Sequence, residues 1–231
     1  MTPELEAAVD VMYAAFARYQ RPPTFLGCGC CFEGVPITGE FWNGTYRSLV
    51  EVTSPGGTRP LPELTEDDGL RDIVTDVPLT GGDQDLLKHY LPRLCEIAVG
   101  DDEGWIDLLS VCFRLADGPD VAAAQWWTWP SEEVAAVRGF LDAVWSSARR
   151  AERLWGCASK LDSLLIAEID PERLCSAWAA DEDPEAQRNL TECRELLATG
   201  AFGTMFDSPD GREPYSANLR AVVDWLDALE V

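Results

Sequence analysis

From Thr65 onward, apolar residues recur at three- and four-residue intervals, and that periodicity commits most of the chain to α-helix. Leu86, Leu87, Tyr90, Leu91, Leu94 and Ile97 form the apolar stripe of a helix predicted over about Asp83 to Val99. Pro92 falls inside that stripe and is expected to kink the helix or shift its start. A further helix is predicted from Trp105 to Leu115. The clearest one follows Trp129-Pro130. Pro130 suits the first helical position, Glu132 and Glu133 face the positive end of the helix dipole, and Val134, Val137, Leu141, Val144, Trp145 and Ala148 share one face. Asp170-Pro171-Glu172 and Asp183-Pro184-Glu185 repeat one start signal, with Asp as N-cap, Pro at N1 and Glu behind. Thr65 and Asp68 have the spacing of a capping box. A last helix carries Leu219, Val222, Val223, Leu226 and Leu229.

The N-terminus adds one more helix, from Pro3 to Tyr19, with Leu5, Ala8, Val9, Met12 and Phe16 on its apolar face and Arg21-Pro22-Pro23 ending it. Residues 24–60 read differently. Asn43-Gly44 between Phe41-Trp42 and Thr45-Tyr46 is a hairpin signal, and Val50-Glu51-Val52-Thr53 alternates like a strand. The expected fold is therefore mainly α. It is an irregular array of about eight helices in stacked pairs, within a single domain over 1–231, carrying a Cys-rich non-helical arm and a hairpin insertion. The Arg149–Arg153 stretch reads as a solvated helix face rather than a bend.

A formal net charge of -23 constrains partners. Such a field repels phosphate backbones and anionic membrane surfaces, so neither nucleic acid nor membrane is expected to bind. A basic protein would be attracted and steered in. Lys88 and Lys160 are the only lysines, and the preference for arginine alongside abundant alanine points to a GC-rich bacterial genome. The opening Met1-Thr2-Pro3-Glu4 lacks a basic run followed by an apolar block, so the expected location is cytoplasmic.

Cys28-Gly29-Cys30-Cys31 is the one motif with evident chemistry. Three thiols within four residues suit a metal centre, and Cys28-x-x-Cys31 is a normal chelating pair for zinc. Cys28, Cys30, Cys31 and the lone histidine, His89, are the candidate metal ligands. Oxidoreductase spacing and an inert structural turn are the competing readings, and His89 alternatively serves as an ordinary histidine bonded to a neighbour. Cys95, Cys112, Cys157, Cys175 and Cys193 stand singly among apolar helical positions and read as small buried hydrophobes.

Trp126, Trp127 and Trp129 crowd three large rings into four residues, and they cannot all face one way. At least one is expected at the surface. Together with Trp42 they are the candidate partner-binding residues. The carboxylate clusters at Asp67-Asp68, Asp101-Asp102-Glu103 and Asp181-Glu182-Asp183 lack calcium-loop spacing and read as solvated loop and cap residues. No nucleophile elbow, P-loop, H-E-x-x-H or dinucleotide fingerprint occurs, which argues against an enzyme.

Several short motifs occur in a fixed order. They are Pro22, the Cys28–Cys31 turn, Leu61-Pro62-Glu63-Leu64-Thr65, His89-Tyr90-Leu91-Pro92-Arg93-Leu94, Trp129-Pro130 and Val223-Asp224-Trp225-Leu226. In these the chain resembles a group of uncharacterised bacterial helical proteins with a C-x-C-C-like turn and an H-[FY]-L-P-R-L helix. The resemblance implies no activity, and against it the stretch from Ile37 to Thr58 reads as an insertion.

The functional expectation is an acidic protein-binding module, in concrete form an immunity or antitoxin-like protein that neutralises a basic toxin. The alternative is a zinc- or thiol-dependent enzyme built on the Cys28–Cys31 turn. A scaffold subunit of a larger complex is the third possibility.

Overall fold

The computed structural model describes residues 1–37, 41–42, 45–46, 49–77, 81–100, 105–116, 125–152, 154–167, 169–198 and 213–229. Nine α-helices and five short strands occur among them. In chain order these are α1 (Pro3–Phe16), β1 (Thr24–Cys28), β2 (Val35–Ile37), β3 (Phe41–Trp42), β4 (Thr45–Tyr46), β5 (Leu49–Thr53), α2 (Leu70–Asp76), α3 (Gln84–Gly100), α4 (Leu108–Ala116), α5 (Ser131–Arg149), α6 (Leu154–Ile166), α7 (Pro171–Ala179), α8 (Pro184–Ala198) and α9 (Glu213–Ala228). The fold is mainly α with a small antiparallel sheet, as the periodicity implies. No described helix is long and apolar enough to cross a membrane.

The chain divides into two compact units. The first comprises Met1 and Glu6–Val137, and the second comprises Thr2–Leu5 and Arg138–Val231.

The first unit holds the sheet, in the order β1-β5-β2 with every pairing antiparallel. Its register sets Phe25 opposite Val52 and Cys28 opposite Leu49. The alternation read at Val50–Thr53 is real, with Val50 and Val52 buried and Glu51 and Thr53 exposed. β3 and β4 pair with Trp42 opposite Thr45, as a hairpin about Asn43-Gly44 requires, although that step itself lies outside the described residues. Helices α2, α3 and α4 pack on one another. Leu64, Leu70, Ile73, Leu87, Tyr90, Leu91, Leu94 and Ile106 fill this core. The Thr65 capping box forms: the Thr65 backbone N–H and its hydroxyl both donate to Asp68 Oδ2, at 2.7 and 2.8 Å. It closes a 3-10 turn over Glu66–Asp68 instead of opening an α-helix directly. Helix α3 runs through Pro92 without a shifted start, beginning at Gln84. Pro92 is buried in the same stripe as Leu91 and Leu94, so packing outweighs the missing N–H.

The second unit packs α6, α7, α8 and α9 on one another. Asp170 and Asp183 cap as read, accepting from Glu172 N at 3.0 Å and Glu185 N at 2.9 Å. Trp145 and Trp178 meet edge to face with centroids 5.3 Å apart. Their indole N–H groups donate to the carbonyls of Leu174 and Ala186, both at 2.9 Å. Two readings change here. The run read as a helix face leaves the helix at Arg149, where α5 ends, and Arg150–Glu152 are non-helical; Arg153 lies outside the described residues. Asp181 is no solvated loop residue either. It is buried and accepts from Arg149 Nε at 3.0 Å and Arg150 Nε at 3.2 Å. Burial works to raise its pKa, but the Arg150 and Arg149 hydrogen bonds and the Asp183 N–H hold it below the ordinary carboxylate value.

Candidate functional site

The thiols sit where β1 leaves the sheet. The Cys28 carbonyl accepts from the N–H groups of both Cys31 (3.0 Å) and Phe32 (2.9 Å), which winds the chain into one tight turn. Phe32 is buried beneath it, and two glycines make the room. A Cβ at Gly27 would lie 2.7 Å from the Phe32 ring, and one at Gly81 would lie 2.6 Å from the same ring and 2.9 Å from Gly27 Cα. Gly27 and Gly81 form an isolated bridge for that reason.

The turn gathers three sulfur atoms. Cys28 Sγ lies 2.7 Å from Cys30 Sγ, which is 3.6 Å from Cys31 Sγ. All three lie within 4.8 Å of one another, a group able to hold a metal ion. Cys28 is buried, whereas Cys30 and Cys31 are exposed. The Cys30 thiol is pushed up to about 11, chiefly by hydrogen bonds with Cys28 and Cys31, with smaller effects of burial and their charges. The Cys30 thiol therefore holds its proton at neutral pH, the opposite of the depressed thiol of an activated cysteine.

His89 is elsewhere. Its Nδ1 is 2.9 Å from the Tyr19 carbonyl, and Arg21 Nε approaches Nε2 at 3.5 Å. Burial lowers its pKa; the Tyr19 carbonyl opposes this and the Arg21 charge adds to it. A neutral ring donating from Nδ1 satisfies both neighbours. The structure thus brings Cys28, Cys30 and Cys31 together and leaves His89 tying α3 to the chain after α1.

The remaining described cysteines behave as core. Cys95, Cys112, Cys157, Cys175 and Cys193 are all buried. Burial pushes the thiols of Cys175 and Cys193 up to about 12 and raises those of Cys95 and Cys157 as well. Native protein treated with iodoacetamide at alkaline pH is expected to label at the exposed Cys31 and, more slowly because its thiol is raised, at Cys30, and to protect these five until it unfolds. Peptide mass spectrometry reads the pattern, and prompt labelling of the five would contradict their burial.

Beside the turn lies a cleft of about 530 Å³. Phe25, Phe32, Val52 and Ile73 are among its apolar lining residues, Glu33, Glu51, Asp68 and Asp72 among its acidic ones, and Cys31 joins them; the Glu51 carboxylate itself accepts from Thr24 Oγ1 at 3.0 Å, on the strand face opposite Val52. Phe25 and Phe32 meet edge to face, 5.3 Å between centroids. Asp68 is held low, first by the Thr65 backbone and side-chain hydrogen bonds and then by Arg59. Asp72 is pushed up by burial and by the charges of Asp76 and Glu33. An arriving cation would relieve that last group most. Composition alone signals acidity; only the fold brings these acidic residues to one cleft.

The tryptophans do not form one platform. Trp126 and Trp129 are buried, and Trp127 is 36% exposed, which meets the expectation that one ring reaches the surface. Trp129 packs edge to face on Phe16 at 5.9 Å and receives Lys88 Nζ 4.5 Å above its ring. Trp42 lies in β3. The most exposed described indole is Trp105, at 76%, with the Arg71 guanidinium 5.2 Å from its ring.

Around Lys88 lies a buried network. Lys88 and Glu133 are both buried, with Lys88 Nζ 2.8 Å from Glu133 Oε2. Tyr19 Oη donates to Glu133 Oε1 at 2.6 Å, and Arg18 also bonds that carboxylate. Burial works to raise the Glu133 pKa, yet Lys88, Tyr19 and Arg18 together bring it below its ordinary value. Glu133 looks in sequence like a dipole-facing surface residue. The only hint of its role is a lysine inside an apolar stripe. No protein-family profile, no curated protein and no solved structure matches this chain.

Proposed function

We propose that this protein is an acidic binding module that captures a basic protein, in the manner of an immunity or antitoxin protein covering a basic toxin. The cleft carries the reading. Glu33, Asp68 and Asp72 stand with two phenylalanines along about 530 Å³ of space, and the Glu33 charge acts on Asp72. A lysine or arginine side chain from a partner suits such a site, its charge meeting the carboxylates and its stem or guanidinium plane lying on the rings. The net charge of -23 adds long-range steering toward the same partner.

Mixing the protein with purified basic proteins encoded beside its gene tests the reading. A complex is expected whose association rate falls steeply with added salt. The double variant Glu33→Gln/Asp72→Asn is expected to weaken it by about tenfold or more, as the loss of contacts to a charged partner group implies. The absence of any complex at micromolar concentrations would sink the proposal.

A second reading is favoured by one observation, the three sulfur atoms within 4.8 Å. It is a metal centre for zinc or another thiophilic ion, structural or supporting thiol-dependent chemistry.

A further inference from the structure

The trio presents a contrast that packing does not explain. Outside the trio all five described cysteines are buried, as small apolar residues should be, while Cys30 and Cys31 stand exposed beside the buried Cys28. Exposed thiols are oxidation-prone and add little to a core. The backbone nonetheless aims all three at one point. The double hydrogen bond to the Cys28 carbonyl fixes the turn, and Gly27, Gly81 and Phe32 support it from below. Thiolates around one ion at bond lengths of about 2.3 Å stand roughly 4 Å apart, so the present spread needs only small side-chain rotations.

The donor set then selects the ion. Structural zinc takes four protein ligands, but among the described residues the group holds only three sulfurs. His89 is occupied by the Tyr19 carbonyl and Arg21, and is not among them. An all-thiolate set suits a soft ion, and monovalent copper is satisfied by three such ligands. We propose that Cys28, Cys30 and Cys31 form a three-coordinate site for Cu(I). Loading replaces three S–H bonds with three Cu–S bonds and releases three protons to solvent, with no change of oxidation state. The excess negative charge of the centre is tolerated because two of its sulfurs face water.

The inference rests on the second reading above, that the trio is a metal centre, and the test separates the two. Reduced, tag-free, full-length protein is titrated anaerobically with Cu(I) against a chromogenic Cu(I) chelator, and in parallel with Zn(II) against a zinc indicator. Withdrawal of one equivalent of Cu(I), with ultraviolet sulfur-to-copper charge-transfer absorption and three sulfur neighbours by X-ray absorption, is the expected result. Zinc should be withdrawn weakly or not at all. The variant Cys30→Ser/Cys31→Ser changes only exposed side chains, so it should keep its helical spectrum and melting point while losing the copper. His89→Ala should still bind it. A tight equivalent of zinc, or a nitrogen ligand at the metal, overturns the copper assignment while leaving a metal centre. Withdrawal of neither ion, or copper retained by the double serine variant, overturns the site altogether.

Discussion

Truncating Lys88 to alanine is expected to destabilise the protein by about 3–5 kcal/mol, the range found when one member of a buried ion pair is removed. Glu133 is fully buried and keeps only Tyr19 and the largely exposed Arg18 as partners once the ammonium is gone. The Trp129 face also loses the cation above it. Replacing Lys88 with methionine and Glu133 with leucine together should cost far less, since neither variant side chain leaves a charge behind. Chemical denaturation of Lys88→Met, Glu133→Leu and the double closes the cycle, and a Lys88→Ala loss below about 1 kcal/mol would show the pair to be solvated. The same pair sets an acid limit. The folded-state pKa of Glu133 lies below its ordinary value of 4.5. Its stabilisation is therefore fully present above the unfolded-state pKa and is lost as pH falls through the lower, folded value. Glu133→Gln should flatten that part of the pH–stability curve.

Trp178→Ala is the second change with a large expected effect, about 3–5 kcal/mol for an aromatic deleted from a core. Trp178 is fully buried, stacks edge to face on Trp145 and donates to the Ala186 carbonyl. Trp178→Phe separates the contributions. It keeps most of the ring packing but removes the donor, leaving a buried carbonyl without that partner, at a cost of about 1–3 kcal/mol. Denaturation followed by circular dichroism reads both. Equal losses for Ala and Phe would mean that the hydrogen bond, not the ring volume, holds α7 to α8.

What the sequence disclosed, and what it hid, follows the range of each interaction. Asp170, Asp183 and the Thr65–Asp68 box act on backbone within three residues, so their start signals read correctly from residue types alone. The thiol trio is equally local and was visible as spacing. β1 was not. Its Thr24–Cys28 segment lacks alternation, and it becomes a strand only because β5 returns beside it. The buried Lys88–Glu133 pair and the Arg149–Asp181 pair join residues remote in sequence, and each acidic partner sits in a context that normally means exposure. The cleft belongs to the same class, since Glu33, Glu51, Asp68 and Asp72 come from four separate segments.

The exposed ring of Trp105 has an optical consequence. Its backbone N–H is bonded to Glu66, the residue that opens the same 3-10 turn that presents Asp68 to the cleft. An indole in water emits at longer wavelength than one in a core and is open to collisional quenchers. Trp105 thus supplies a red-edge fluorescence signal anchored to that turn, and a cargo seated in the cleft would register as a change in its emission and quenching without any attached dye.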